Sequence, residues 1–424
     1  MTFVAVTCKC GERFNVDERY IGQVISCWKC KRQIRPRHRV RTPSQYVHLT
    51  QGARNFRQRL QAWRDGAAKA LRHSWPFAQP WIERRPVIFY LAMASWVGLA
   101  AVAAIAILLP TLGDRWAPAT ILLYAGRWVY LVPVLGMTLL AAVTWRALII
   151  PNLLSLALVL GPIMGFHLGV RGWLPPPAGE PLRVVTLNAG GGSVVAPELV
   201  ALMDGWRADI LAFQECGPAL QAVIRTIPRW HSHDANPLCL LSRFPIRDAQ
   251  LMNREDLERV RGADGGGAGG AGYVARYVLE TPAGLLGFTN VHLETARKGL
   301  ESVADGNPDL TRLQDNMDIR EMEARRARSF ADAGVVPMIV AGDFNAPPDS
   351  RNLRDSFGDL TNGFSRVGAG FGYTRYNGWI RLRIDHLLNS EGIRPVRARV
   401  GSDVGSDHRP MIVDYRILGR TTDR

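Results

Sequence analysis

The sequence predicts an α/β domain over residues 182–418, carried behind a membrane region and a small cysteine module. Three observations predict it. After residue 181, short apolar runs that read as buried strands alternate with longer helical patterns. Five segments place an amide, a carboxylate or an imidazole at the end of such a run: Leu187-Asn188, Gln214-Glu215, Asn290-Val291-His292-Leu293, Gly342-Asp343-Phe344-Asn345 and Ser406-Asp407-His408-Arg409-Pro410. Arg383-Ile384-Asp385-His386 stands between the last two. Residues 86–170 hold three apolar stretches, each long enough to cross a hydrocarbon layer of about 30 Å.

Charge separates these regions. The 424 residues carry a formal net charge of +15. Residues 1–85 hold 18 Lys/Arg and 5 Asp/Glu, a net of +13; residues 86–170 hold 3 and 1; residues 171–424 hold 31 and 31. The basic character therefore belongs to the N-terminal part. A neutral C-terminal region lacks the footprint of a tight nucleic-acid binder, though neutrality leaves room for a local basic groove.

Residues 1–35 read Cys8-Lys9-Cys10-Gly11 and, later, Cys27-Trp28-Lys29-Cys30. Two cysteine pairs at tight turns suit a tetrahedral site with four thiolates and Zn2+. A unit this small buries little, so the metal would supply most of its stability. It resembles the small zinc-ribbon modules of bacterial protein N-termini, except that the first pair is Cys-x-Cys. Two disulfides are the competing reading, disfavoured by the cytosolic placement argued below. No signal peptide is expected, because the first apolar stretch runs straight into the cysteines. Residues 36–85 form a basic linker. Within it, Arg54–Leu71 fits an amphipathic helix with Phe56, Leu60, Trp63 and Leu71 near one side. It reads either as a segment lying on an anionic leaflet or as a solvated topology signal.

The three expected crossings are Pro86–Leu109, Trp128–Trp145 (beginning as early as Ala119 if Arg127 snorkels) and Ala147–Val170. The Lys/Arg-rich flank puts the N-terminus in the cytoplasm, and three crossings put residues 171–424 on the periplasmic or extracellular side of a bacterial inner membrane. Residues 171–181 are a stiff proline-rich linker. Strands are expected at Arg183–Leu187, Ile210–Phe213, Leu238–Ser242, Tyr273–Glu280, Leu285–His292, Met338–Ala341, Ile384–Leu388 and Met411–Ile417. Helices are expected at Pro197–Trp206, Ala219–Ile227 and Asp315–Ala333. The glycine-rich run 262–272 is a connector: no Lys-Ser/Thr closes it as a phosphate loop would. Cys216 and Cys239 are expected as two buried free thiols, with pairing open if the compartment is oxidising.

The order Leu-Asn, Gln-Glu, Val-His-Leu, Gly-Asp-Phe-Asn, Ile-Asp-His and Ser-Asp-His-Arg-Pro resembles the endonuclease/exonuclease/phosphatase superfamily, with its DNase-I-like fold. The resemblance covers roughly residues 181–418. It implies a four-layer α/β sandwich and hydrolysis of phosphoesters with Mg2+ or Mn2+. It also implies site residues. Glu215 and Asn188 would hold the ion, with Asp407 at its edge. Asp343 would orient or deprotonate the attacking water, and Asn345, read as facing the same way two positions on, would hold phosphate. His408 would bind a phosphate oxygen, with Asp385 fixing its tautomer, and His292 would face the transition-state oxygens. His386 should point the opposite way. Arg276 and Arg297 are substrate-binding candidates, and Arg320, Lys298 and Trp379 lie near motif ends. Asn188-Ala189-Gly190 departs from the DNA-repair members, which usually carry an acidic residue two positions after the Asn. Tyr273 is the nearest counterpart of the family's mid-chain tyrosine.

The expectation is a membrane-anchored phosphoesterase acting on a lipid, small-molecule or nucleic-acid phosphodiester. The alternatives are a nonspecific nuclease and, in another class, a catalytically silent membrane sensor whose zinc module binds a cytosolic partner.

Overall fold

The computed structural model of the chain describes residues 3–17, 22–35, 85–190, 205–255, 272–304 and 310–418, with isolated positions between them. The helix expected at Arg54–Leu71, most of Pro197–Trp206 and the connector 262–272 lie outside these residues. The chain divides into two units, Met1–Pro86 and Val87–Arg424.

In the first unit β1 (Phe3–Thr7) pairs antiparallel with β2 (Arg13–Asp17), and β3 (Ile25–Ser26) with β4 (Gln33–Ile34). The cysteine pairs follow β1 and β3. Gly11 closes the first turn at φ +87, where a side chain would be strained. Cys8 Sγ lies 3.6 Å from Cys30 Sγ, and Cys10 Sγ 3.8 Å from Cys27 Sγ. All four sulfurs lie within 4.8 Å of one another and none is disulfide-bonded.

The second unit begins with three helices long and apolar enough to cross a membrane: Pro86–Leu112, Arg127–Thr144 and Arg146–Ile163, with mean hydropathies of 2.3, 1.5 and 1.8. Their outer faces carry exposed Val97, Ile107, Val132, Leu139 and Ile150. The second helix starts beside the expected Trp128 and not at the optional Ala119, and the third ends earlier than expected. Ala117–Tyr124 is a separate short helix, broken from the second span by extended backbone at Ala125 and Gly126. Arg127 does not snorkel: it is buried, with Nη1 donating to Ile163 O at 2.7 Å and to Asp349 at 3.0 Å. The third span stops at Ile163, not Val170. Gly165 at φ +76 turns the chain into β5 (His167–Leu168), which pairs with β15 (Ala369–Gly370).

Residues 180–417 form two six-stranded sheets. In spatial order the first is β10 (Ile246–Leu251), β11 (Tyr273–Thr281), β12 (Gly284–His292), β13 (Met338–Asp343), β18 (Asp385–Asn389) and β14 (Thr361–Asn362). The second is β19 (Ile393–Val400), β20 (Met411–Ile417), β6 (Glu180–Asn188), β7 (Ile210–Gln214), β9 (Leu238–Ser242) and β8 (His231–Ala235). Each sheet has one parallel pair, β12–β13 and β6–β7, among antiparallel neighbours.

Alternation decides the layers. Leu182, Val184, Ile210, Ala212 and Val413 face Tyr277, Phe288, Ile339, Ala341 and Leu387 across the gap between the sheets. The outer face of the second sheet packs Val185, Leu187, Leu211 and Phe213 against Trp206, Leu220 and Ile224. The outer face of the first packs Val291 and Val340 on Ala324, Ala327 and Ala331 of the helix Leu310–Asp332, with Leu353 and Phe357 of Arg351–Phe357. Helix, sheet, sheet and helix thus make a four-layer α/β sandwich of the DNase-I-like type.

The apolar helices join this sandwich through buried charge. Asp114, in the loop after the first span, is fully buried. It accepts from Arg320 Nη1 at 2.7 Å, Ser350 Oγ at 2.5 Å and Tyr124 OH at 3.2 Å. Arg320, expected on a solvated or pocket-facing surface, is instead buried here and also donates to Asn345 O at 3.1 Å. The end of the first span, the start of the second and the end of the third therefore all meet the sandwich.

Candidate active site

All the chemistry-bearing motifs lie at one end of the paired sheets. Asn188 ends β6, Gln214 ends β7, His292 ends β12 and Asp343 ends β13. Asp385 begins the antiparallel β18, and His408 stands just before β20. Register puts His292 beside Asp343 and Asp343 beside Asp385, so three site residues occupy one row on the inner face. Gly342 makes this row possible. A Cβ there would sit 2.0 Å from Val291 O.

Below the row, the apolar core closes with a polar floor. Gln214 Nε2 donates to Asn290 Oδ1 at 2.7 Å and to Thr186 Oγ1 at 3.0 Å, linking the two sheets. Asn290 Nδ2 donates to Phe213 O at 3.0 Å. These buried amides are satisfied and hold the strand ends in place.

Above it, Asn188 Nδ2 lies 3.0 Å from both Glu215 Oε1 and Asp343 Oδ2, while its Oδ1 accepts from Gly190 N. In this arrangement Asn188 bridges two carboxylates through its nitrogen and does not present its oxygen to them. Glu215 follows its strand at φ +50, a conformation costly for a residue with a Cβ, and its carboxylate is 40% exposed. Asp343 is buried, and burial, reinforced by the Asp385 charge, pushes its pKa up. His292 Nε2 lies 3.7 Å from Glu215 and 3.9 Å from Asp343, its ring stacked on Tyr273 at 6.4 Å.

His408 Nδ1 lies 2.8 Å from Asp385 Oδ2, and Nε2 lies 3.7 Å from Asp343 Oδ2. Burial opposes protonation of this imidazole, but the Asp385 and Asp343 carboxylates outweigh it and push its pKa up to about 9. Arg375 Nη1 lies 2.8 Å from the same Nε2. The two observations pull apart: the carboxylates favour imidazolium, yet a guanidinium donor needs an unprotonated nitrogen. For this geometry the neutral ring is required, since two N–H donors at 2.8 Å repel. An anionic oxygen between His408 and Arg375 would let both donate.

Asp343, Asp385 and His408 also cluster within 4.8 Å. Both His408 nitrogens are already engaged, so this trio is a hydrogen-bonded relay rather than a cation cradle. A hard divalent ion suits the side where the Glu215 and Asp343 carboxylates converge, one of them open to water; Asn188 would join it with Oδ1, not Nδ2, turned toward them.

Several expected residues stand elsewhere. Asp407 is not at that cluster: its carboxylate pairs with Arg375 Nη2 at 2.8 Å. Asn345 does not share a strand face with Asp343, because β13 ends at Asp343 and Asn345 turns at φ +48. Its Nδ2 donates to Leu293 O and its backbone N to Asp343 Oδ1, each at 2.8 Å. Arg276 is not in the site; its guanidinium is held by Phe330 O and Gln250 against the helix layer. Arg297 is exposed, near Glu301, on the rim of a cleft beside the site. His386 points away, bonding Ala346 O at 2.8 Å. Cys216 and Cys239 are not free thiols but a disulfide joining the end of β7 to β9. Arg375, absent from the sequence expectation, is the main addition.

A family model described as "Endonuclease/Exonuclease/phosphatase family" matches residues 185–408, just over half of the chain. The chain belongs to the endonuclease/exonuclease/phosphatase family. No curated protein sequence matches it. Its fold is similar to those of humanized D. rerio TDP2 (13% identity, 56% of this chain and 99% of that one, TM-score 0.43) and an endonuclease/exonuclease/phosphatase from Beutenbergia cavernae (17%, 57% and 72%, 0.40). The human Nocturnin catalytic domain is similar at 16% identity (57% and 100%, 0.41). In this family member the matched segment begins inside β6 and ends at His408, so it spans every motif of the site.

Proposed function

We propose that the chain is a membrane-anchored, Mg2+- or Mn2+-dependent phosphoesterase that hydrolyses a phosphodiester on the membrane face opposite its N-terminus. The observation carrying this reading is the convergence of Asn188, Glu215, His292, Asp343, Asp385 and His408 from six chain segments on one end of the sandwich. Glu215 would hold the ion, joined by Asn188 with its amide turned so that Oδ1 replaces Nδ2 toward the carboxylates; when bound, the ion would neutralise phosphate charge and polarise the P–O bond. Asp343, made more basic by burial, accepts the proton of the attacking water. The water oxygen bonds to phosphorus as the ester P–O bond breaks. His408, oriented by Asp385 and carrying the proton, donates to a phosphate oxygen or to the leaving alkoxide. Arg375 adds positive charge facing the same oxygens, and the His292 imidazole faces them from the other side of the carboxylates.

The external placement is supported by the +13 charge of residues 1–85 and by which span ends meet the sandwich. The Cys216–Cys239 disulfide fits an oxidising compartment, and the four unpaired N-terminal cysteines fit a reducing one. Those four would hold Zn2+: a Zn–S bond of about 2.3 Å in tetrahedral geometry gives sulfur separations of about 3.8 Å, close to the observed 3.6 and 3.8 Å.

The test is release of p-nitrophenol from bis-p-nitrophenyl phosphate by the purified full chain. Release should need Mg2+ or Mn2+, stop with EDTA and be lost in Asp343→Ala. No metal-dependent release from any phosphodiester, plasmid DNA included, would favour the silent sensor instead.

A further inference from the structure

Beside the catalytic cluster runs an apolar cleft of about 380 Å3. Tyr124, Ala296, Leu300, Ile380, Leu382 and Ile384 form its walls. Thr295, Arg297, Glu301, Asn345, Arg375 and Asn377 also line it, and Arg375 touches His408, so the cleft borders the proposed phosphate position. Its volume falls within the range of about 300–1,000 Å3 typical of small-molecule sites.

The cleft belongs to the membrane as much as to the sandwich. Ala296, Leu382 and Ile384 share one apolar cluster with Val102 and Leu109 of the first span, Val134 of the second and Val159 of the third. Tyr124 comes from the short helix between the first two spans. The hairpin β16 (Arg375–Asn377) and β17 (Ile380–Leu382) forms one wall. Its turn carries Trp379, 78% exposed, against Trp128 at the start of the second span, with ring centroids 5.7 Å apart. Trp128 Nε1 donates to Trp379 O at 3.0 Å. Paired tryptophans with exposed faces, where apolar helices meet a soluble body, mark the headgroup level of a bilayer. One hairpin thus carries a membrane-level tryptophan at its turn and a catalytic-cluster arginine at its base.

We propose that this cleft seats the hydrocarbon chain of a membrane lipid whose phosphoester lies at His408 and Arg375. The inference rests on the phosphoesterase reading and supplies its substrate class. Nucleobases and sugars are poorer occupants, because the exposed lining is mostly apolar and leaves much of their polar edge unpaired. A hydrocarbon chain needs no partners and enters from the bilayer that the adjoining helices already occupy.

Two measurements on the full chain in lipid nanodiscs test it. In the first, p-nitrophenyl phosphodiesters bearing a hexadecyl or an ethyl group are compared. The long-chain ester should be turned over with kcat/KM higher by about tenfold or more, as burial of many methylenes requires. In Leu300→Trp, which fills the cleft, and Ile380→Asp, which charges it, that ratio should fall toward one. Equal turnover of both esters, or an unchanged ratio in both variants, overturns the proposal. In the second, a hexadecyl phosphate with a terminal diazirine is photo-crosslinked and the adducts mapped. Labelling of residues 296–300 or 380–384, lost in Leu300→Trp, supports the cleft whether or not turnover is seen; labelling elsewhere overturns it. Cleft labelling without turnover of either ester would sink the phosphoesterase reading alone.

Discussion

At the residue scale, His408 carries the sharpest expectation. Its pKa is raised to about 9, so once an anionic oxygen stands between it and Arg375 the ring holds its proton below that pH and loses it as pH rises through it. With protonated His408 as the active form, kcat/KM should fall on the alkaline side near pH 9. Arg375→Met removes a nearby positive charge that lowers this pKa, so the alkaline limb should move upward even as the rate drops. A limb that stays put in Arg375→Met would detach Arg375 from His408. The strand-end residues were legible because a carboxylate or imidazole terminating an apolar run is chemically conspicuous. Arg375 was not: it follows no apolar strand, and only the hairpin's bridge to His408 brings it in. Asn345 stands elsewhere than expected because alternation holds only within a strand and β13 ends at Asp343; Asp407, in the turn before β20, is drawn off by Arg375.

At the scale of elements, the coupling of the loop after the first apolar helix to the sandwich rests on Asp114 and Arg320, both almost fully buried. Asp114→Ala strands a buried guanidinium and should destabilise the second unit by about 3–5 kcal/mol, whereas Asp114→Leu combined with Arg320→Met should recover most of that loss. Thermal unfolding in detergent reads both; an unchanged midpoint in Asp114→Ala would contradict the buried pair. No sequence pattern announced this contact, because its partners lie 206 residues apart and an arginine in a charged helix reads as surface. The central strands were legible from their apolar runs. The edge strands β8, β10 and β19 were not, since half-exposed strands rich in Arg, His and Asp lack that signal. The Cys216–Cys239 bridge escaped because cysteine spacing alone does not give the proximity of a strand end to the strand beside it.

At the scale of the whole molecule, the three spans were legible from length and apolarity, but their ends were not. Arg127 is a buried anchor and not a snorkelling charge, so the second helix starts at Arg127, beside the expected Trp128, and not at Ala119, while the third stops at Ile163, short of Val170. With three crossings, an alkaline phosphatase fusion at the C-terminus of the chain in bacterial cells should be active and a green fluorescent protein fusion dark; the reverse would return the sandwich to the cytoplasm. The claim on which all else depends is that one hydrated divalent ion sits among the strand-end oxygens and drives ester hydrolysis. Its most direct measurement is the Mg2+ dependence of phosphodiester hydrolysis by wild-type chain and Glu215→Gln. The account predicts saturable activation of the wild type and, in the variant, a rate lower by about 10²–10³-fold with half-saturation at higher Mg2+. Undiminished hydrolysis in EDTA, or identical Mg2+ curves for the two proteins, would contradict it.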